Sequence, residues 1–218
     1  MRLHLSLTTN KEIVPFEYQH FLIGAFHKWM EWNEVHDKIS LYSFSWLQGS
    51  KLIKNGFDFP DGGSWFISFW DNEMGKRLMK GIMNDPDVFC GMKVREIQVQ
   101  DEPNFSSKEL FKLASPVLIR KYDQNRKAVH LTYQSEEADS LLTQTLKKKM
   151  IAAGLYYEVK VYFDKNYTAP KTKLVNIGGI RNKASLCPVI IEGSPEAIKF
   201  AWTVGVGHST GCGFGSIY

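Results

Sequence analysis

The chain has 218 residues, 44% of them apolar, and a net charge of +4. That supports one core or two, does not by itself mark a polyanion partner, and leaves no run near the roughly 18 apolar residues of a membrane span. Its three cysteines, Cys90, Cys187 and Cys212, are scattered and odd in number, which argues against a disulfide framework and a zinc site and points to the reducing cytoplasm.

Residues 2–9 alternate apolar and polar side chains, as a strand does. Pro15 then opens an expected helix that runs to about Asn33. Leu22, Ala25, Phe26, Trp29 and Met30 recur along it at helical spacing and form its buried stripe, with His20 and His27 on another face. Leu41 to Trp46 and Ser64 to Trp70 read as aromatic-rich strands. Lys51 to Phe59 adds a hairpin arm, with Asp61-Gly62-Gly63 as its expected turn. Met74, Leu78, Ile82 and Met83 predict a second helix over 72–84, and 92–99 alternates as a closing strand. The order strand, helix, strand, strand, helix, strand is that of a ferredoxin-like domain. The polar stretch 102–107 is the expected linker, giving domains over 1–104 and 105–218.

The second half repeats the order less cleanly. Leu110 to Ile119 predicts a strand broken by Pro116, and His130 to Tyr133 a short extended piece. Glu136 to Gly154 is the clearest helix, with Leu141, Leu142, Thr145, Leu146 and Met150 on one side and Gly154 as its stop. Tyr156 to Phe163 alternates as a strand. Lys173 to Ile180 and Leu186 to Glu192 are expected to pair as a hairpin. Ser194 caps a short helix with Pro195 in its first turn. The fold class is therefore α+β: two tandem ferredoxin-like (βαββαβ) domains ending in a glycine-rich loop.

Positive charge gathers in three places. Lys165, Lys171, Lys173, Arg181 and Lys183 share one segment; Lys147, Lys148 and Lys149 form a second cluster, Arg120 and Lys121 a third. A solvated face explains any one of them; a shared groove for a polyanion would explain all three. Among the histidines, His27 and His36 stand nine residues apart across a helix end. They are either two solvated side chains or a facing pair. Imidazole gives and takes a proton near neutral pH, so a facing pair could serve as base and acid, with Lys38 as a nearby cation. Asp85, Asp87, Glu136 and Glu137 read as helix-end charges rather than metal ligands, so no metal or other cofactor is expected.

The last fourteen residues hold five glycines within eleven positions: Gly205, Gly207, Gly211, Gly213 and Gly215. Such density suits neither helix nor strand. It reads as a loop of exposed backbone N–H groups that could cradle a phosphate or an RNA edge, with His208 and Phe214 beside it. On this reading, a bulky residue at Gly213 or Gly215 would weaken RNA binding and leave the fold largely intact. A P-loop fails for want of a lysine, and a dinucleotide fingerprint because Thr210 stands where a glycine is needed and no strand follows.

The arrangement Gly205-Val206-Gly207, a polar gap, then Gly213-Phe214-Gly215 resembles the C-terminal glycine-rich loop of the CRISPR repeat-processing endoribonucleases, within the repeat-associated RNA-binding superfamily. The first half is similar too: a short strand, a helix after a proline with Gly24 in its middle, then histidine and lysine before an aromatic-rich strand. The resemblance implies metal-independent cutting of the precursor CRISPR transcript within its repeats, through attack of a 2′-OH that leaves 2′,3′-cyclic phosphate and 5′-OH ends. Carried over, His36 matches the catalytic histidine, His27 the helix position and Lys38 the lysine, with Lys51 as its substitute. RNA contacts would fall to Gly205, Gly207, His208, Gly211, Gly213, Phe214, Gly215, Lys51, Lys171, Lys173, Arg181 and Lys183. CRISPR repeat RNA is the implied partner, with the CRISPR effector complex and a second copy of the chain as further candidates and no membrane. The competing reading is a non-catalytic repeat-binding subunit of the same superfamily.

Overall fold

The computed structural model describes residues 1–30 and 39–218. The elements in chain order are β1 (Arg2–Leu7), α1 (Gln19–Met30), β2 (Tyr42–Phe44), β3 (Lys51–Ile53), β4 (Gly56–Asp58), β5 (Ser64–Phe69), α2 (Asn72–Asn84) and β6 (Val94–Gln100). There follow β7 (Lys108–Phe111), β8 (Ile119–Tyr122), β9 (Ala128–Leu131), α3 (Ala138–Ala152), β10 (Val159–Phe163), β11 (Lys171–Ile177), β12 (Ile180–Leu186), β13 (Val189–Gly193) and α4 (Pro195–Val204).

In the first half, antiparallel pairing gives the sheet order β2-β5-β1-β6. With α1 and α2 as the intervening helices, this is a ferredoxin-like unit. Its core carries the expected stripe of α1, with Leu22, Ala25, Phe26, Trp29 and Met30 all buried. The helix begins at Gln19 rather than at Pro15. A residue before proline favours extended backbone, and here Val14 pairs with Phe57 as an isolated bridge, so the chain turns only afterwards. In α2, Leu78 and Ile82 are buried, whereas Met83 points outward. Gly81 lets that helix lie on α1: a Cβ there would stand 2.0 Å from the Trp29 carbonyl oxygen. The β3–β4 hairpin turns at Lys54-Asn55, with Ile53 opposite Gly56, not at Asp61-Gly62-Gly63. Asn55 takes the second loop position and Gly56 opens β4.

In the second half, the sheet order is β10-β13-β7. The chain's end takes the fourth position through the Leu113–Ile217 bridge. Helices α3 and α4 complete the second ferredoxin-like unit. Two excursions depart from the expected pattern. The stretch read as one broken strand is β7, then a β8–β9 hairpin. The basic hairpin pairs β11 with β12 across Gly178-Gly179. The strand expected to be its second arm, β13, instead pairs with β10 and β7 inside the sheet. Val189 and Ile191 are fully buried, so their apolar run belongs to the core rather than to a projecting arm.

Polar bonds join the two units. Arg2, on β1, is 1% exposed. It donates to Ser68 Oγ at 2.7 Å, to the Trp202 carbonyl at 2.8 Å and to the Ile217 carbonyl at 2.9 Å. Its guanidinium carbon lies 4.2 Å from the centre of the Phe66 ring and 3.6 Å from that of Trp202. Farther along, Ser43 Oγ donates to the Thr203 carbonyl at 2.9 Å and Trp46 Nε1 to the Gly213 carbonyl at 2.8 Å.

Candidate nucleic-acid interface

Helix α4 ends at Gly205, whose φ is +70°, and the chain then folds back on itself. Val206 N–H donates to the Gly215 carbonyl at 2.9 Å, His208 N–H to the Leu118 carbonyl at 2.8 Å, and Gly215 N–H to the Pro116 carbonyl at 2.8 Å. Residues 205–207 and 213–215 are therefore two limbs lying side by side. A Cβ at Gly215, where φ is +60°, would stand 1.8 Å from the Val206 carbonyl oxygen. A Cβ at Gly211 would stand 2.6 Å from the Tyr42 hydroxyl oxygen.

This corrects the picture of an open cradle. Gly205, Gly207, Gly211, Gly213 and Gly215 are all buried, and the N–H groups of Gly205, Gly213 and Gly215 are bonded within the protein. The repeated glycine triplet is a packing device: it lets two limbs touch each other and the facing domain. Phe214 is 1% exposed, in an apolar cluster with Leu118, Val175 and Ala184; it anchors β11–β12. The expectation that a bulky residue here spares the fold is overturned by these contacts.

What the loop does present is its tip. Residues 207–212, with a single 3₁₀ turn at Thr210–Cys212, form one wall of a cleft of about 600 Å³. Ile23 and His27 of α1 line it from the first domain, together with Ile39, Ser40 and Tyr42; Thr145, Lys148 and Lys149 of α3 line it from the second. The described lining residues include two lysines and two histidines but no carboxylate, so the charge they contribute is positive.

Lys149 lies at the floor of the cleft. Its ammonium donates to the Val204 carbonyl at 3.0 Å, the Gly205 carbonyl at 3.3 Å and Thr210 Oγ1 at 2.9 Å. Thr210 in turn donates to the Tyr42 carbonyl at 2.9 Å, so α3, the end of α4, the loop and β2 meet at one group. Burial pushes the Lys149 pKa down to about 7. His208 Nδ1 accepts from the Arg120 backbone N–H at 3.3 Å, and the Arg120 guanidinium donates to Ser209 Oγ at 2.7 Å. Burial first, then the positive charges of Arg120 and Lys149, hold the His208 pKa down to about 4. That imidazole is neutral at pH 7 and, with Nδ1 accepting, carries its proton on Nε2. Burial also keeps the Tyr42 phenol protonated, its pKa raised to about 12.

Of the sequence-derived residues, the structure brings His27, Gly207, His208 and Gly211 to this cleft. His36 and Lys38 lie outside the described residues; Ile39, just after them, lines the cleft. Lys51 stands on the exposed β3, 3.9 Å from Asp61, and is not part of the cleft. The basic hairpin is divided. Directly opposed residues share a sheet face, and the register opposes Leu174 to Lys183 and Asn176 to Arg181. Because faces alternate along a strand, Arg181 and Lys183 share one face and Lys171 and Lys173 the other. Lys173 Nζ lies 4.7 Å from the centre of the Trp46 ring. Lys149, Arg120 and Tyr42 were not among the expected site residues. The 147–149 run and Arg120 did stand out as charge clusters, but only their positions in the fold show which lysine turns inward.

Among the described residues, no group of three or more His, Cys, Asp and Glu side chains could hold a metal ion, and no helix is long and apolar enough to cross a membrane. Cys90, Cys187 and Cys212 are free thiols.

The chain is thus built of two ferredoxin-like units that clasp a glycine loop between them, with a cleft beside it. Residues 100–218 match the family described as CRISPR associated protein Cas6, C-terminal, and the chain belongs to that family. Its fold is similar to that of a Cas6-related protein from Pyrococcus furiosus, at 20% identity and a TM-score of 0.87, over 100% of this chain and 97% of that one. A structure described as CRISPR associated protein Cas6 has 22% identity and a TM-score of 0.83, over 100% of this chain and 98% of that one. A third, described as an RAMP protein binding different RNA substrates, has 19% identity and a TM-score of 0.84, over 100% and 98%. No curated protein matches the chain.

Proposed function

We propose that this protein binds CRISPR repeat RNA in the cleft between α1, α3 and the glycine loop, and cuts the precursor transcript there. The observation that carries this reading is the convergence of His27, the loop tip and Lys148 on one cleft with no carboxylate among its described lining residues. Imidazole, ammonium and hydroxyl groups suit proton transfer and phosphate binding; a two-metal mechanism calls for carboxylate ligands. The 2′-OH attacks the adjacent phosphate, a base takes its proton, and an acid protonates the departing 5′ oxygen. The ends are a 2′,3′-cyclic phosphate and a 5′-OH. His27 and His36 are the proposed proton carriers and Lys38 the cation beside the phosphate. The neutral His208 offers an Nε2–H to a phosphate oxygen. Lys148, Arg120, Lys171 and Lys173 supply backbone charge, so affinity falls steeply with salt.

The test is incubation of the purified protein with repeat RNA in excess EDTA, with analysis of the ends. Cutting is expected to persist in chelator and to stop when the nucleophilic 2′-OH is replaced by hydrogen. His27→Ala is expected to slow cutting by about 10²- to 10⁴-fold, the usual contribution of a proton-transfer group, while repeat affinity stays within about twofold. Metal-dependent cutting, or cutting of the deoxy substrate, would defeat the chemistry. Tight, salt-sensitive binding with no cutting at all would identify a non-catalytic repeat-binding subunit.

A further inference from the structure

We propose that Lys149 is the positioning residue of the cleft: its ammonium holds the loop tip in the shape that receives RNA, and a bound phosphate supplies the counter-charge that no described carboxylate provides. The inference rests on the RNA-binding reading above. All three N–H donors of Lys149 are committed, to the Val204 and Gly205 carbonyls and the Thr210 hydroxyl. Two of those acceptors are the last carbonyls of α4, where the helix dipole favours a cation. The third belongs to the loop tip. Among the described residues nothing in that shell carries a formal negative charge, and Lys149 enters none of their ion pairs. A fully buried ammonium satisfied only by neutral oxygens keeps most of its desolvation cost. A structural lysine would ordinarily be matched by a carboxylate or replaced by an apolar residue; this one instead sits at the floor of a cleft.

The groups facing it sharpen the argument. Lys148 lies on its own helix, His208 and Cys212 on the loop, His27 on α1 and Tyr42 on β2, all lining the same cleft. Arg120, on β8, reaches the loop through Ser209. Burial is what lowers the Lys149 pKa to about 7. An anion in the cleft reverses that balance. The free protein is then only partly protonated at Lys149 near neutral pH, and RNA binding completes the protonation, so binding takes up a proton. A lysine that merely filled space would not couple in this way.

Isothermal titration of cleavage-resistant repeat RNA, deoxy-substituted at the cut site, reads this directly. Wild-type protein is titrated at pH 7.5 and 8.5 in buffers of different ionisation enthalpy. The expected result is a net uptake of between roughly half and one proton, with affinity falling up to about tenfold per pH unit. Lys149→Met, which keeps the stem and removes the charge, is expected to lose most of that uptake. Uptake through His208 or His27 would instead persist in the variant and overturn the assignment. If Lys149→Met does not fold, the wild-type titration alone decides: binding without proton uptake overturns the proposal. Absence of any repeat binding would bring down the RNA-binding reading and this inference together; binding with no uptake brings down only this one.

Discussion

The seam between the two units is held at two places by a buried cation, and the two are solved differently. Arg2 is sealed: its guanidinium is flanked by the Phe66 and Trp202 rings and donates to three oxygens. Lys149 also donates to three oxygens, but it borders an open cleft. A planar, weakly hydrated guanidinium tolerates stacking and stays charged; a compact ammonium loses its proton readily when buried. The lesson is that equal burial does not mean equal role. The closed end is a clamp; the open end is a clamp that a ligand can feel.

The largest test removes the distinction by breaking both ends. Gly215 lies between them, two residues before the Ile217 carbonyl that Arg2 holds and against the Val206 carbonyl. Gly215→Val adds a positive-φ penalty to an impossible contact, and is expected to cost on the order of 4 kcal/mol or more, read as loss or a large downward shift of the melting transition. RNA affinity should fall only as the folded fraction falls. Unchanged melting with weakened binding would restore the open-cradle picture of the loop.

A smaller change breaks the sealed end alone. Arg2→Met strands two carbonyls and the Ser68 hydroxyl, and is expected to cost about 3 kcal/mol by chemical denaturation. Repeat affinity well below the melting temperature should stay within about twofold, because Arg2 does not line the cleft. A selective loss of binding at full folding would make the seam itself part of the RNA site.

The smallest effect sharpens the open end. Lys149 has a folded pKa of about 7 against an ordinary 10.5, so between those values the unfolded chain binds a proton that the folded one does not. Stability contributed by this group therefore rises with pH above about 7 and is flat below it. The slope cannot exceed about 1.4 kcal/mol per pH unit. Measured between pH 7 and 8.5, wild type should gain stability relative to Lys149→Met; parallel pH profiles would show that Lys149 does not titrate there. Arg2, pushed down by burial only to about 9, should contribute little in that window, which separates the two cations.

Much of the fold was legible in the sequence where periodicity reported burial. The α1 stripe and the first βαββαβ order came directly from spacing, and Ser194-Pro195 marked the start of α4. The second half was harder because two hairpins, β8–β9 and β11–β12, interrupt the domain pattern with strands of the same local character. Gly178-Gly179 was the turn signal that would have set the second register. The glycine loop was visible, but its sense was not: glycines that admit a ligand and glycines that admit another backbone look alike until the facing atoms are known. Lys149 was hidden for a related reason. Three lysines in a row allow a solvated face or a share in a groove, and only α3's packing against α4 turns the last of them inward.

The bond from Arg2 to the Ile217 carbonyl spans 215 residues of sequence. During synthesis Ser68, on the same unit, is available to Arg2 early, whereas the Trp202 and Ile217 carbonyls follow only after most of the chain has been made. Completion of the clamp therefore waits on contacts between residues far apart in the chain, the kind whose loop-closure entropy makes them form late.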